Sequence, residues 1–166
     1  MASIDPPPFR IFLLRHAKAL RGGPGERDFD RALDPQGYAE AELVASKAAD
    51  RGYLPDLVIS STAVRCRQTA DAVRRAIDET LEPVFVDDLY NGSVDIYLDI
   101  LSSQPDSRAL MLIGHNPVIE QTLAALVGSS PLSSAIPMGY PTGGLAVIDH
   151  AGTGKSGWTL AEFLQA

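Results

Sequence analysis

The chain has 166 residues, of which 45% are hydrophobic, enough to fill the core of one globular domain. Its formal charge of −7 disfavours binding to nucleic acid or to an anionic membrane, since both attract clustered Lys and Arg side chains. The first residues lack a signal pattern, and no apolar run approaches the roughly 20 residues that cross a bilayer, which predicts a cytoplasmic protein. With Cys66 as its single cysteine, the chain can form neither an intramolecular disulfide nor a cysteine-based zinc site.

The predicted elements alternate between strands and helices along most of the chain. Residues 1–8 form a Pro-rich lead that we expect to be flexible, and residues 9–166 are expected to form a single domain. Short apolar runs of β-favouring residues predict strands at residues 9–14, 57–60, 84–86, 109–113, 145–149 and 158–163. Helical spacing and capping residues predict helices from Asp34-Pro35 to Arg51, through Cys66 to Ile77, from Asp95 to Ser102, and from Asn116-Pro117 to Gly128.

This order of elements predicts an α/β fold. We expect a three-layer sandwich with a mainly parallel central sheet, helices on both faces, and an antiparallel edge strand supplied by the closing hairpin. The stretch between Pro131 and Gly144 contains three prolines and three glycines. It is predicted to be a loop, lying either near the functional site or over the surface.

Three of the predicted strands are followed directly by His, Arg or hydroxyl side chains. Arg15-His16 follows the first strand, residues 60–65 follow the second, and Gly114-His115-Asn116-Pro117 follows the fourth. Ligands of open α/β sheets bind outside the carboxyl ends of the strands, so these segments are expected to meet at one edge. Arg side chains bind phosphate oxygens through a fork of donors, and a neutral imidazole can attack phosphorus. The pattern predicts a phosphoryl-transfer site.

Each residue of this site has a predicted role. His16 is the nucleophile, Arg15 and Arg65 neutralise the phosphoryl oxygens, and His115 donates a hydrogen bond to charge that develops in the transition state. Asn116 is counted among the phosphate-binding residues, because the helix after it could point its N-terminal dipole at the anion. Taken singly, each of these residues has an ordinary surface or turn-forming interpretation. Their common position at one sheet edge favours the functional one.

The same segments resemble the motifs of the histidine phosphatase superfamily, also called phosphoglycerate mutase-like. The motifs are Leu14-Arg15-His16-Ala17, residues 60–70, and residues 114–117. The short chain and its Arg-His-Ala start are most similar to the SixA-like phosphohistidine phosphatase branch, which residues 30–37 also match. The resemblance extends from the first strand to about Val127.

The resemblance implies that His16 becomes phosphorylated within a phosphate pocket formed by Arg15, Arg65 and His115. Ala17 replaces the glycine of the superfamily's name motif, a departure that occurs within the SixA-like branch. Many members also place a carboxylic acid after the third strand. Asp88 lies nearest that position in this chain and is the predicted general acid, with Asp87 as the alternative.

The predicted function is therefore hydrolysis of a phosphoryl group through a phosphohistidine intermediate on His16, with protein phosphohistidine as the substrate. The alternatives are a phosphatase of small phosphate esters, a phosphomutase of the same superfamily, and a non-catalytic phosphoprotein-binding module. The predicted partner is accordingly a phosphorylated protein or a small phosphate ester. The sequence does not indicate an oligomeric state.

Other motifs are interpreted without a chemical role. The histidines His16, His115 and His150 lack the short spacing of metal ligands, so neither a metal nor another cofactor is expected. Residues 152–156 resemble a nucleotide-binding loop, but Asp149 stands where the pattern needs its first glycine. Cys66 is interpreted as a packing residue on a helix face.

Overall fold

The computed structural model describes residues 4–151 and 157–166, and these residues form one six-stranded sheet with six α-helices. The strands are β1 (Arg10–Arg15), β2 (Leu57–Ser61), β3 (Val84–Val86), β4 (Ala109–Gly114), β5 (Leu145–His150) and β6 (Trp158–Leu164). The α-helices are α1 (Pro35–Asp50), α2 (Val64–Ile77), α3 (Asp88–Asn91), α4 (Val94–Ser102), α5 (Val118–Val127) and α6 (Ser129–Ala135). A 3₁₀ helix covers Asp28–Asp30.

The strand order in the sheet is β3-β2-β4-β1-β5-β6. Strands β1, β2, β3 and β4 pair in parallel, whereas β5 pairs antiparallel with both β1 and β6. The α/β fold is therefore confirmed, with a mainly parallel sheet and an antiparallel hairpin at one edge.

Alternation along β1 shows how the sheet buries both of its faces. Phe12 and Leu14 are buried against one face, in a cluster with residues of α1 and α2. Ile11 and Leu13 are buried on the other face, in a cluster with residues of α4 and α5. Because both faces are covered by helices, β1 is a nearly continuous apolar run, as expected of a parallel strand inside a sandwich.

Local signals place the ends of α1 where the sequence predicts them. Asp34 is the N-cap, and its side-chain oxygen accepts a hydrogen bond of 2.6 Å from the backbone N–H of Gly37. Pro35 occupies the first helical position, where a missing N–H costs no hydrogen bond. Gly52 follows the helix with a φ of +74°, the left-handed conformation that glycine adopts most easily.

Two predictions about the elements need correction. The predicted loop between Pro131 and Gly144 is wrong at its start, because α6 extends from Ser129 to Ala135. Pro131 is compatible with this helix since it lies in the first turn, where N–H groups need no helical partner. The short helix α3 was not predicted, because four residues are too few to show a helical period.

The described part of the Pro-rich lead packs against β6. Within the Pro-rich lead, Ile4 is buried, and its carbonyl oxygen accepts a 3.0 Å hydrogen bond from the indole N–H of Trp158. Strand β5 extends one residue beyond the predicted strand and ends at His150. The motif at residues 152–156 lies outside the described residues. In the part of the chain that is described, none of the helices has the length and apolar character needed to span a membrane.

Candidate active site

The topology brings three motif segments to one edge of the sheet. Strand β4 lies between β1 and β2, and all three run parallel. Arg15 pairs with Gly114, and Ser60 pairs with Ile113, so the carboxyl ends of these strands are level. The residues that follow the three strands are consequently neighbours, as the sequence predicts.

His16 is held with one ring nitrogen facing other site residues. It is 8% exposed, and its Nδ1 lies 2.8 Å from the carbonyl oxygen of Ala17. Arg65 donates from Nε to Nε2 of His16 over 3.3 Å. This pattern assigns the proton to Nδ1, which donates to Ala17, and leaves a lone pair on Nε2. Burial lowers the pKa of His16 to about 3, and nearby Arg65 also favours the neutral ring.

Thr69 links the loop after β1 to α2 through hydrogen bonds of its hydroxyl. Its hydroxyl accepts a 3.1 Å hydrogen bond from the backbone N–H of Ala17 and donates a 2.7 Å bond to the carbonyl oxygen of Arg65. One buried side chain therefore fixes the backbone on both sides of the His16–Arg65 contact. Thr69 lies in the quoted motif at residues 60–70, but its role was not predicted.

Arg65 is the centre of the site. It is 5% exposed, and its Nη2 lies 3.4 Å from Nδ1 of His115, while its Nε contacts His16. On its outer side, Nη1 donates to the carbonyl oxygen of Asp28 over 2.8 Å, and Nη2 donates to the Asp28 carboxylate over 3.1 Å. The interpretation of Arg65 as a solvent-facing helix residue is thereby excluded.

His115 is buried on the other side of Arg65. Its Nε2 lies 2.8 Å from the hydroxyl oxygen of Ser61, and burial, reinforced by Arg65, lowers the pKa of His115 to about 4. Its backbone N–H donates to the hydroxyl of Tyr97 over 3.1 Å. A Cβ at Gly114 would lie 2.6 Å from that hydroxyl, so this approach of Tyr97 requires glycine.

Cys66 also lies beside His115, but without nucleophilic character. Its Sγ is 3.6 Å from Nε2 of His115, and burial raises the pKa of the thiol to about 12. Because the reactive form of cysteine is the thiolate, Cys66 is inert at neutral pH. Its contacts with apolar residues of the sheet and of α1 agree with the packing interpretation.

Arg15 points towards the segment that follows α6. Its Nη1 donates to the carbonyl oxygen of Tyr140 over 2.7 Å, and its buried Nε has no hydrogen-bond partner among the described residues. Burial lowers the pKa of Arg15, while the carboxylates of Glu120 and Glu40 oppose this shift. Arg15 lines a cavity of about 460 Å³ together with residues 135–141. The backbone N–H of Gly143 also lies 3.1 Å from the carbonyl oxygens of Arg15 and His16. Residues 136–144 therefore lie beside the site, one of the two positions that the sequence allows.

The remaining predicted site residues are Asp87, Asp88 and Asn116, and none of them makes a hydrogen bond to the His16 ring. Asp87 and Asp88 are exposed at the start of α3, and among the described residues neither carboxylate makes a hydrogen bond or an ion pair. Asn116 is half-buried, and its side-chain oxygen accepts a 3.3 Å hydrogen bond from the backbone N–H of Glu120 in α5.

Two functional candidates, Asp28 and Tyr90, were missed by the sequence analysis. The Tyr90 hydroxyl donates to the Asp28 carboxylate over 2.7 Å. The Tyr90 ring lies edge-on to His115, with 5.5 Å between ring centroids, and 5.8 Å from the Arg65 guanidinium. The hydrogen bond from Tyr90, together with Arg31 and Arg65, holds the pKa of Asp28 well below its usual range. No sequence signal distinguishes Asp28, because it lies in a run of exposed charged residues.

Within residues 4–151 and 157–166, no group of three or more His, Cys, Asp or Glu side chains is placed to hold a metal ion.

Comparison with known proteins shows the family of this chain. The sequence model of the family described as "Histidine phosphatase superfamily (branch 1)" matches residues 11–91. An uncharacterized chloroplast protein of Arabidopsis thaliana is 34% identical over 131 residues, which cover 73% of this chain and 60% of the plant protein. An uncharacterized Mycobacterium tuberculosis protein is 32% identical over 146 residues, covering 84% of this chain and 88% of the relative.

A solved structure extends the similarity to nearly the whole chain. The structure of a candidate phosphohistidine phosphatase, SixA from Agrobacterium tumefaciens, superposes with a TM-score of 0.88 at 49% identity. The match covers 95% of this chain and 97% of that one. Sequence, fold and site therefore agree that this chain belongs to the histidine phosphatase superfamily and is a phosphatase of the SixA-like kind.

Proposed function

We propose that this chain hydrolyses phosphohistidine on other proteins through a phosphohistidine intermediate on its own His16. The observation that carries the proposal is the neutral His16 ring, whose Nδ1 donates to Ala17 while Nε2 faces Arg65. An imidazole in this tautomer presents a lone pair to an incoming phosphorus atom. The adjacent cation supplies donors for the phosphoryl oxygens, and His115 donates from Nδ1 when the Ser61 hydroxyl donates to its Nε2.

The reaction proceeds in two steps. In the first, Nε2 of His16 forms a bond to phosphorus, and the bond to the leaving group breaks with its electron pair. Nε and Nη2 of Arg65 exchange their contacts with His16 and His115 for two phosphoryl oxygens. The Nδ1–H···O bond to Ala17 stabilises the positive charge that the ring acquires. In the second step water attacks phosphorus and returns a proton to the acid that protonated the leaving group, and His16 leaves as the neutral ring with release of phosphate.

Asp88 is proposed as the proton donor to the leaving group. Its exposed carboxylate has no competing partner among the described residues, and it begins the short helix that carries Tyr90 to the site. Asp28 is a poor donor in comparison, because its three hydrogen bonds keep the carboxylate ionised. Asp87 is the alternative donor.

Protein phosphohistidine is favoured as the substrate by the relative of 49% identity, which is described as a candidate phosphohistidine phosphatase. A phosphohistidine also suits a site whose general acid is exposed, because its leaving group depends little on an acid. The conjugate acid of the leaving imidazole has an ordinary pKa near 6.5, far below the pKa of an alcohol. We place the reaction in the cytoplasm, where a lone cysteine stays reduced. Small phosphate esters and phosphoryl transfer to a second substrate are the alternatives.

A substrate panel tests the proposal. We expect a phosphohistidine protein to be hydrolysed with a higher kcat/KM than sugar phosphates, nucleotides or aryl phosphates. Enzyme quenched during turnover of a labelled substrate should carry a label that is lost in acid and retained in alkali, as a phosphoramidate is. The control variant His16→Ala should fold normally but neither turn over substrate nor take up label.

Three outcomes would contradict the proposal. An alkali-labile label would point to Ser60 or Ser61 as the acceptor. Substantial activity in a folded His16→Ala variant would remove the phosphohistidine intermediate. Transfer of the label to a second phosphate ester, in place of release as phosphate, would identify a mutase.

A further inference from the structure

The guanidinium of Arg65 is bound along two different edges. Its side edge, formed by Nε and Nη2, faces Nε2 of His16 at 3.3 Å and Nδ1 of His115 at 3.4 Å. Its end edge, formed by Nη1 and Nη2, donates to the carbonyl oxygen of Asp28 at 2.8 Å and to the Asp28 carboxylate at 3.1 Å. The two hydrogens of Nη2 are thus divided between His115 and Asp28.

This division separates the edge available to a phosphoryl group from the edge that is anchored. Two parallel N–H bonds from one guanidinium edge match two oxygens of a phosphoryl group only when the plane of the guanidinium is correctly oriented. An arginine side chain has several rotatable bonds, and fixing them costs conformational entropy. A partner on the end edge fixes the plane without covering the side edge.

We propose that Asp28 is a positioning residue, which orients the side edge of Arg65 towards the phosphoryl group that lies between the two histidines. The identity of that group rests on the proposed function. Asp28 acts through Arg65 and is not assigned a contact with substrate.

The Asp28 carboxylate is itself anchored from three segments, although its side chain is 55% exposed. Arg31 donates to one oxygen over 2.9 Å, while the Tyr90 hydroxyl and Arg65 donate to the other. The Tyr90 ring also contacts Phe29, with 5.1 Å between centroids. A surface carboxylate held by a single partner would orient Arg65 weakly, but three donors limit its rotation.

The main alternative is that the carboxylate competes with phosphate for Arg65. The geometry favours positioning, because the carboxylate occupies the end edge and leaves the side edge to the imidazoles. The two interpretations predict opposite effects of removing the negative charge. If the carboxylate competes with phosphate for Arg65, a neutral amide in its place should bind Arg65 less well, and activity should rise. If the carboxylate positions Arg65, the oxygen of the amide still accepts the hydrogen bond, and activity should be largely retained.

Variants of Asp28 separate these interpretations. Asp28→Ala removes the carboxylate that binds Nη2 of Arg65 and leaves the backbone carbonyl that binds Nη1. With one of its two anchors lost, kcat on an aryl phosphate should fall by roughly 10- to 100-fold, as expected for a misaligned catalytic group, with a smaller change in KM. Asp28→Asn keeps an acceptor oxygen and should retain most of the rate. Asp30→Ala is the matched control, because Asp30 lies in the same 3₁₀ helix and, within the described part of the chain, its carboxylate pairs with Arg27 and not with Arg65. Its kcat should equal that of the wild type.

Two further measurements separate positioning from general loss of structure. In an Arg65→Lys background, Asp28→Ala should cost less than about 2-fold, because lysine has no guanidinium edge to orient. The NMR signal of the Arg65 Nε–H, assigned by its absence in Arg65→Lys, should broaden in Asp28→Ala and persist in Asp28→Asn. This readout needs no turnover, so it tests the positioning of Arg65 even if the proposed function fails.

The inference would be overturned by any of three results. These are higher activity in both Asp28 variants, an equal loss from Asp28→Ala in the wild-type and Arg65→Lys backgrounds, and an unchanged Arg65 Nε–H signal in Asp28→Ala.

Discussion

Acidification from pH 7 to pH 5 is expected to destabilise this protein through its two buried histidines. His16 and His115 are 8% and 7% exposed, and burial lowers their pKa values to about 3 and about 4, respectively, from an ordinary value of 6.5. As the pH falls below 6.5, the unfolded chain takes up protons that the folded state does not. The free energy of unfolding therefore falls as the pH falls, and it continues to fall until the folded-state pKa values are reached.

The size of the effect follows from proton binding to the unfolded state. Because both folded-state pKa values lie below 5, the loss between pH 7 and pH 5 is about 2 kcal/mol for each histidine, or about 4 kcal/mol for both. This loss depends little on the depth of either shift. It is smaller than the total stability of about 5–15 kcal/mol that is usual for one domain, so the protein should stay folded at pH 5 and the loss should be measurable.

Urea denaturation at the two pH values measures this loss. The buffer must be free of phosphate, since an anion bound beside Arg65 would stabilise the folded state. Each of the variants His16→Asn and His115→Asn should reduce the pH dependence of the free energy of unfolding by about 2 kcal/mol, because asparagine does not titrate. Equal pH dependence in the wild type and both variants would refute the conclusion that these rings stay neutral in the fold.

Three further predictions concern activity. Arg65→Lys should lower kcat/KM by roughly 10²–10³-fold, because the paired donors are lost, and Arg65→Ala should lower it further; a fully active lysine variant would contradict side-edge binding of phosphate. Chelators and thiol-alkylating reagents should leave the rate unchanged, since the mechanism uses no metal and Cys66 is buried; inactivation by a chelator that added metal reverses would count against it. Asp88→Asn should slow hydrolysis of alkyl phosphates by about 10²–10⁴-fold and of phosphohistidine much less; equal losses would remove Asp88 as the acid.

The elements of this fold are largely readable from sequence because their signals are local. Apolar runs predict all six strands, and the Asp34-Pro35 start and Gly52 end of α1 are decided by residues adjacent to the helix. Helices α3 and α6 were not predicted, and the reason lies again in their local sequences. The first is too short to show a period, and the second begins with residues whose composition is typical of loops.

The sequence by itself also determined which chemistry the sheet edge carries. His16 and His115 each follow a strand directly, and Arg65 lies in the first turn of the helix after another strand. Parallel strands must place such residues at one edge, so their meeting needs no knowledge of side-chain packing.

Only the tertiary structure decided how these side chains are oriented and charged. Asp28 and Arg65 are 37 positions apart, and Asp28 and Tyr90 are 62 apart, separations at which no local pattern records a contact. Arg15 precedes His16 in sequence, yet its guanidinium binds the carbonyl oxygen of Tyr140. The low pKa values of His16 and His115 likewise arise from burial beneath several elements. Desolvation depends on all the residues that bury a group, and the sequence motif around each histidine contains only some of them. The pKa shifts therefore follow from the tertiary structure and not from the motifs.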